Sequence, residues 1–211
     1  GKKIAIQIAA EKDDIWIYDT ETWEGNKLNI EGSSGWPLWS LDGESVVFVS
    51  RSLEEEAWGL YSKKINEIGS PQMIWEPSNG VMATSWHPKE DMLAMNFQSD
   101  IWFIKNPLTD PKGNKFTVEK DLEWVGMFSP NGNWISYDVD HSGTYRQVVQ
   151  SLINTNQIYQ LSTADSGNGI WSPKGDALYF FMGGETGGRF VEAEFDPESN
   201  KDPVGKIEKS F

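Results

Sequence analysis

The sequence predicts an all-β chain assembled from repeated four-stranded antiparallel units, and three observations carry that prediction. One phrase returns four times, each return is followed by a short run of β-branched and aromatic residues, and no stretch sustains a helical apolar stripe. The phrase reads WSLDGESV from Trp39, WHPKEDML from Trp86, FSPNGNWI from Phe128 and WSPKGDAL from Trp171, at intervals of 47, 42 and 43 residues. A return every 40 to 50 residues or so is the spacing of propeller blades. The expected fold is therefore a β-propeller of four-stranded blades, with about five visible.

Each element follows from its own residues. The Asp-Gly, Asn-Gly and Lys-Gly pairs inside the phrase tolerate the positive φ of a hairpin turn. The runs after them, SVVFVS, MLAMNF, WISYDV and ALYFFM, are too short and too tightly bracketed for helices. Third strands are expected at DIWIYD from Asp14, WGLYSK from Trp58, DIWFIK from Asp100, YRQVVQSL from Tyr145 and RFVEAEF from Arg189. Weaker fourth strands are expected at NKLNI, PQMIW, NKFTV, NQIYQLS and GKIEKSF, giving about 19 strands in all. The best helical candidate, SLEEEAWGLYSKKI from Ser52, is short and falls where a third strand belongs; its SLEEEAW portion reads as a solvated acidic hairpin loop. GGETGGR from Gly183 lacks the Lys-Ser/Thr of a phosphate loop and reads as a hairpin tip.

The units fall at about 1–34, 35–80, 81–123, 124–167 and 168–211 and form a single domain. GKKIAI matches the second strands and Gly1 matches Gly43, so the chain opens inside the phrase. The first unit then holds three strands. Either the chain is part of a longer polypeptide or the tail GKIEKSF supplies the missing strand, and unpaired edge strands imply a homo-oligomer as an alternative way of covering them.

Composition narrows the chemistry. Eighteen Lys and Arg against 32 Asp and Glu give a formal charge of −14 and a pI near 4.5, which disfavours nucleic acid and anionic lipid surfaces. No window reaches the roughly 18 apolar residues of a membrane span, so no membrane insertion is expected. With no cysteine, disulfides, thiolate metal sites and a Cys nucleophile are excluded. Eleven Trp, ten Phe and six Tyr beside 20 Gly and 10 Pro suit many short strands and tight turns.

Catalytic constellations are sparse. The chain has two histidines and no G-x-S-x-G elbow. His87 stands where sister phrases place Ser40, Ser129 and Ser172, and is expected to hydrogen-bond local backbone in the turn. His141 lies in a hairpin loop after Asp138 and Asp140; these three residues form a weak cation candidate, because alternation sends the two carboxylates to one face and the imidazole to the other. Trp16, Trp58 and Trp102 read as equivalent third-strand core residues. Trp36 and Trp124, at the start of first strands, are the aromatics best placed to stack on a sugar or anchor a peptide. Partner-binding candidates are thus Trp36, Trp124, His87 and His141, with no cofactor, no catalytic residue and no bound metal expected.

W-S-P-(D/N/K)-G followed by an apolar strand and then D-I-W-x-Y-D resembles the TolB-like β-propeller repeat, over nearly the whole chain. FSPNGNWISYDVDHSGTYRQVVQSL and QIYQLSTADSGNGIWSPKGDALYFF are similar to the last blades of propellers attached to bacterial serine/threonine kinases and sensor-like proteins. The resemblance departs at His87 and Glu90, where Ser and Gly are usual, and that turn is expected to be remodelled. It implies a six-bladed ring in intact relatives, an extracytoplasmic setting, and a non-catalytic module that recognises a protein or peptide. A propeller accompanying a serine peptidase domain and a carbohydrate-binding propeller are the alternatives.

Overall fold

The computed structural model describes residues 1–28, 30–51, 58–78, 80–117, 121–183, 187–199 and 202–209. Ser52 to Ala57 and Glu185, in the two loops singled out above, lie outside the described residues, as does Asn29 in NKLNI. Nineteen strands and no helix make up the described chain. None of its segments is a helix long and apolar enough to cross a membrane.

The strands form five antiparallel sheets in chain order. The first holds β1 (Lys3–Ile8), β2 (Asp14–Asp19) and β3 (Gly25–Lys27); the second β4 (Ser33–Trp39), β5 (Ser45–Arg51), β6 (Trp58–Lys64) and β7 (Gln72–Ser78). The third holds β8 (Met82–Trp86), β9 (Met92–Phe97), β10 (Asp100–Lys105) and β11 (Lys112–Lys115). The fourth is β12 (Leu122–Phe128), β13 (Trp134–His141), β14 (Thr144–Ser151) and β15 (Ile158–Gln160). The fifth is β16 (Ser166–Trp171), β17 (Ala177–Met182), β18 (Arg189–Phe195) and β19 (Val204–Lys209). These are the blades of a β-propeller, one three-stranded and four four-stranded. The tail is the fourth strand of its own sheet: β19 pairs with β18 from Val191↔Lys209 to Phe195↔Val204.

The chain divides into two compact units, residues 1–83 with 104–113, and residues 84–103 with 114–211. In the first, Ile15 of the first sheet and Leu28 and Ile30 just after it pack with Val46 and Phe48 of the next. In the second, Met92, Ala94 and Ile101 meet Phe128, Ile135 and Tyr137, while Trp134, Val149 and Leu161 meet Trp171, Leu178 and Phe180. No small sheet buries both faces alone, so neighbours supply the core. Each fully buried large side chain of this kind contributes about 1.5 to 3 kcal/mol.

The repeated phrase is a self-stapled turn. Gly43, Gly132 and Gly175 donate to the carbonyls of Ser40, Ser129 and Ser172 at φ of 71°, 75° and 75°, the region glycine alone enters without strain. The Ser129 hydroxyl accepts from Trp134 N at 3.1 Å and donates to Asn131 Oδ1 at 2.8 Å; Ser40 is held in the same way by Ser45 N and Asp42, while Ser172 exchanges both bonds with Asp176. At His87 the turn is remodelled. Nδ1 accepts from Glu90 N at 2.9 Å and Lys89 N at 3.3 Å, and Nε2 donates to the Gly132 carbonyl at 2.8 Å.

The third-strand tryptophans need correction. Ile15 and Ile101 fill the core, while Trp16 and Trp102 are half-buried on the opposite face, as strand alternation requires. Trp58 is not equivalent to Trp16. Trp16 opposes Ile6, whereas Phe48, the residue matching Ile6 in the second sheet, opposes Tyr61; Trp58 lies three residues earlier, paired with Ser78.

Candidate functional site

Three first strands carry the same irregularity. β4, β12 and β16 shift register between Gly35 and Leu38, between Trp124 and Met127, and between Gly167 and Ile170. Inside each shift one residue adopts positive φ: Trp36 at 51°, Val125 at 54° and Asn168 at 59°. Bulges aim side chains out of the ladder and free a backbone N–H. Here that N–H is clasped by the preceding sheet: Trp36 N donates to Gln7 Oε1 at 3.1 Å, Val125 N to Asn96 Oδ1 at 2.9 Å, and Asn168 N to Asp138 Oδ2 at 2.9 Å. Gln7, Asn96 and Asp138 share one repeat position, six residues after the turn. Val49 fills that position in the second sheet and offers no acceptor, and β8 has no positive-φ residue.

In the first unit the bulge displays an aromatic. Trp36 is 52% exposed and meets the Trp58 ring edge-on at 6.1 Å, with the Arg51 guanidinium 6.0 Å from the Trp58 ring centre. Gly35 has no room for a side chain, because a Cβ there would lie 2.6 Å from Gln7 Oε1. Gln7 also donates from Nε2 to Asp13 Oδ2 at 3.0 Å, so both ends of the amide are engaged.

In the second unit the same device borders a cavity of about 300 Å3 lined by Trp124, Asp138, Tyr145, Asp165, Asn168 and Phe181 among others. Trp124 and Asp138 are direct cross-strand partners. Asp138 is 5% exposed, and its Oδ1 has no hydrogen-bond partner among the described residues; the Trp124 indole N–H has none either. Burial raises the Asp138 carboxyl to about 6, against the opposing pull of the Asn168 amide. Gly167 fits closely over this carboxylate, since a Cβ there would lie 2.7 Å from Oδ2.

The other candidates separate. His87 is 4% exposed with both ring nitrogens occupied, so it holds adjacent sheets together and is withdrawn from any surface partner. His141 is exposed and pairs with Asp121 at 3.1 Å, Asp140 accepts the turn amide of Gly143 at 2.7 Å, and Asp138 faces Asn168. The three groups suggested for a cation thus serve three different partners. Among the described residues no three His, Cys, Asp or Glu side chains converge for a metal ion.

A buried acid passed unnoticed in the sequence. Glu123 is 1% exposed in β12 and accepts from the Thr117 hydroxyl at 3.1 Å. Burial raises its carboxyl to about 7, the Thr117 bond opposes this, and the Asp100 charge adds to it; Asp100 itself pairs with Lys115 at 2.8 Å. Its strand position matches Ser34 and Ser166, buried hydroxyls that bond locally, so Glu123 reads as a structural hydrogen-bonding group grown one size larger.

These sheets form a β-propeller, and the fold is TolB-like. A TolB-type protein of Agrobacterium tumefaciens superposes over 97% of this chain and 76% of its own, with TM-score 0.73 and 14% identity. TolB from Acinetobacter baumannii matches 99% of this chain and 52% of its own, at TM-score 0.72 and 15% identity. Prolyl oligopeptidase B from Galerina marginata, crystallised with a 35mer hydrolysis and macrocyclization substrate, matches 99% of this chain and 32% of its own, at TM-score 0.67 and 12% identity. The likeness at such identities is one of fold. No protein-family model and no curated protein matches the sequence.

Proposed function

We propose that this chain is a non-catalytic recognition module that binds a protein or peptide through the face at Trp36. One observation carries the reading: a tryptophan is held half-exposed on a left-handed backbone that bulky residues rarely adopt. Strain of this kind costs about 1 to 3 kcal/mol and collects at functional positions. Tryptophan offers large contact area with only two side-chain torsions to immobilise, and Arg51 beside Trp58 favours a partner carrying carboxylates or aromatic groups. The TolB-like resemblance supports an extracytoplasmic setting.

The test selects peptides from a display library on the immobilised chain and titrates the best binder by calorimetry. Trp36→Ala is expected to weaken it at least about tenfold while Trp36→Phe retains most of the affinity. Equal affinity for wild type and Trp36→Ala would remove this face from the function. A second reading, a propeller part of a larger hydrolase, draws on the match to prolyl oligopeptidase B; an α/β-hydrolase domain encoded in the same reading frame would favour it.

A further inference from the structure

The first and fifth sheets each leave one apolar face uncovered, and the repeat supplies the comparison. Three and five residues after the turn position stand Val46 and Phe48, Ile135 and Tyr137, and Leu178 and Phe180, all at 3% exposure or less against the preceding sheet. Ile4 and Ile6 hold these places in β1, and with Ile8 they are 41, 38 and 37% exposed. Trp16 and Tyr18, stacked at 6.0 Å, continue this face across β2, and Lys27 of β3 edges it. The opposite side of a sheet uses the places four and six residues after the turn. There Ala94, Asn96, Ser136 and Asp138 are at most 5% exposed, whereas Tyr179 and Phe181 of β17 are 37 and 41% exposed. Ile170 and Phe190, their cross-strand partners, are more exposed still, and the Phe181 and Phe190 rings meet edge-on at 5.8 Å. Contiguous apolar faces of this kind mark association surfaces, unlike apolar residues scattered singly.

We propose that these faces are the two halves of one contact: the first sheet of one copy of this chain stacks on the fifth sheet of a second copy. The contact continues one the chain already makes, in which Val46 and Phe48 pack on Ala5 and Ile15, and Ile135 and Tyr137 on Ala94 and Ile101. Ile4 and Ile6 are residues of the first kind, Tyr179 and Phe181 of the second. The clasp position selects the occupant. Gln7, Asn96 and Asp138 each hold the bulge of the following sheet, and their counterpart Phe181 has no acceptor to offer. The sheet received on Phe181 therefore needs no clasp, and the first sheet, with its three strands and no bulged first strand, fits that condition. The rims agree in charge. Glu192 and Glu208 continue the Tyr179 row across the fifth face, and Lys27, held by Asp14 at 2.7 Å, edges the first.

The contact is independent of the partner face at Trp36 and is tested by sedimentation equilibrium of the full chain across the micromolar range. A head-to-tail contact leaves one face of each kind open on every dimer, so the average mass is expected to rise with concentration beyond that of two copies. Ile6→Glu and Phe181→Glu each set a carboxylate in one face at an exposed position, and each variant alone is expected to be monomeric. Mixed in equal amounts they should form a one-to-one heterodimer and nothing larger, since one brings an intact fifth sheet and the other an intact first sheet. Melting temperatures close to that of the wild type show that both variants are folded, and Ile6→Thr and Phe181→Thr serve as milder replacements with the same expected pattern. A wild type that stays monomeric throughout, or a mixture of folded variants that yields no heterodimer, would overturn the proposal. So would self-association of either variant alone, which would assign the contact to like faces or to the free edge of β1.

Discussion

Two junctions built on one plan end in different chemistry. Between the first and second sheets Gln7 clasps the bulge at Trp36; between the fourth and fifth, Asp138 clasps the bulge at Asn168. The backbone kink, the close glycine and the acceptor from the preceding sheet are shared. At the first junction the strained residue is a half-exposed tryptophan and the acceptor is neutral and fully used. At the second the strained residue is asparagine, which tolerates this conformation, and the acceptor is a buried acid with an oxygen to spare. The repeat sets where a side chain points, and the side chain alone decides what it does there.

The largest effect expected from disturbing this pair is at Gly167. In Gly167→Ala the new methyl meets a short, buried carboxylate held by Asn168, and unfolding stability should fall by about 3 kcal/mol in denaturant titration. Gly35→Ala meets the end of a longer, flexible amide and should cost only about 1 kcal/mol. Equal losses would mean that the two clasps are equally rigid.

Next comes Asp138→Asn. A carboxyl raised from 3.8 to about 6 in the fold binds its proton more tightly there than in the unfolded chain, so its ionisation removes stability as pH rises through that window. The variant should therefore be more stable than wild type at pH 7, by on the order of 2 kcal/mol, with the gain disappearing near pH 4. Melting curves at the two pH values check this. The converse change, Gln7→Glu, sets a carboxylate against Asp13 and should cost about 1 kcal/mol at pH 7 and less at pH 4. The smallest shift is expected from Trp36→Gly: relief of the left-handed strain and loss of the Trp58 contact oppose each other, leaving the melting free energy within about 1 kcal/mol while partner binding is lost.

Much of the fold was legible because the repeat is written locally. The Ser-to-backbone staple and the turn glycine sit within five residues of each other, and Trp39, Trp86, Phe128 and Trp171 close the first strands of the four later sheets. Trp58 misled because the second sheet has three more residues between its paired second and third strands than the first: Phe48 opposes Tyr61, 13 residues on, where Ile6 opposes Trp16, 10 residues on. The clasps were not legible as interactions. Gln7, Asn96 and Asp138 lie 29, 29 and 30 residues before the amides they hold, and nothing local announces the pairing. A signal was nonetheless present: a polar residue recurs at one repeat position of three second strands, Gln7, Asn96 and Asp138. Asp138 was noticed for its neighbours Asp140 and His141, although its burial comes from the sheet opposite. For His87 the turn contacts were readable, whereas the bond to Gly132, 45 residues away, was not.

The clasps also give the polypeptide a direction of assembly. Every acceptor precedes the strand it shapes by about thirty residues, so during synthesis the mould has already left the ribosome when the segment to be bent arrives. A sheet detached from its predecessor would lose the hold on its own kink, so for the second, fourth and fifth sheets the preceding sheet serves as the mould of the bend.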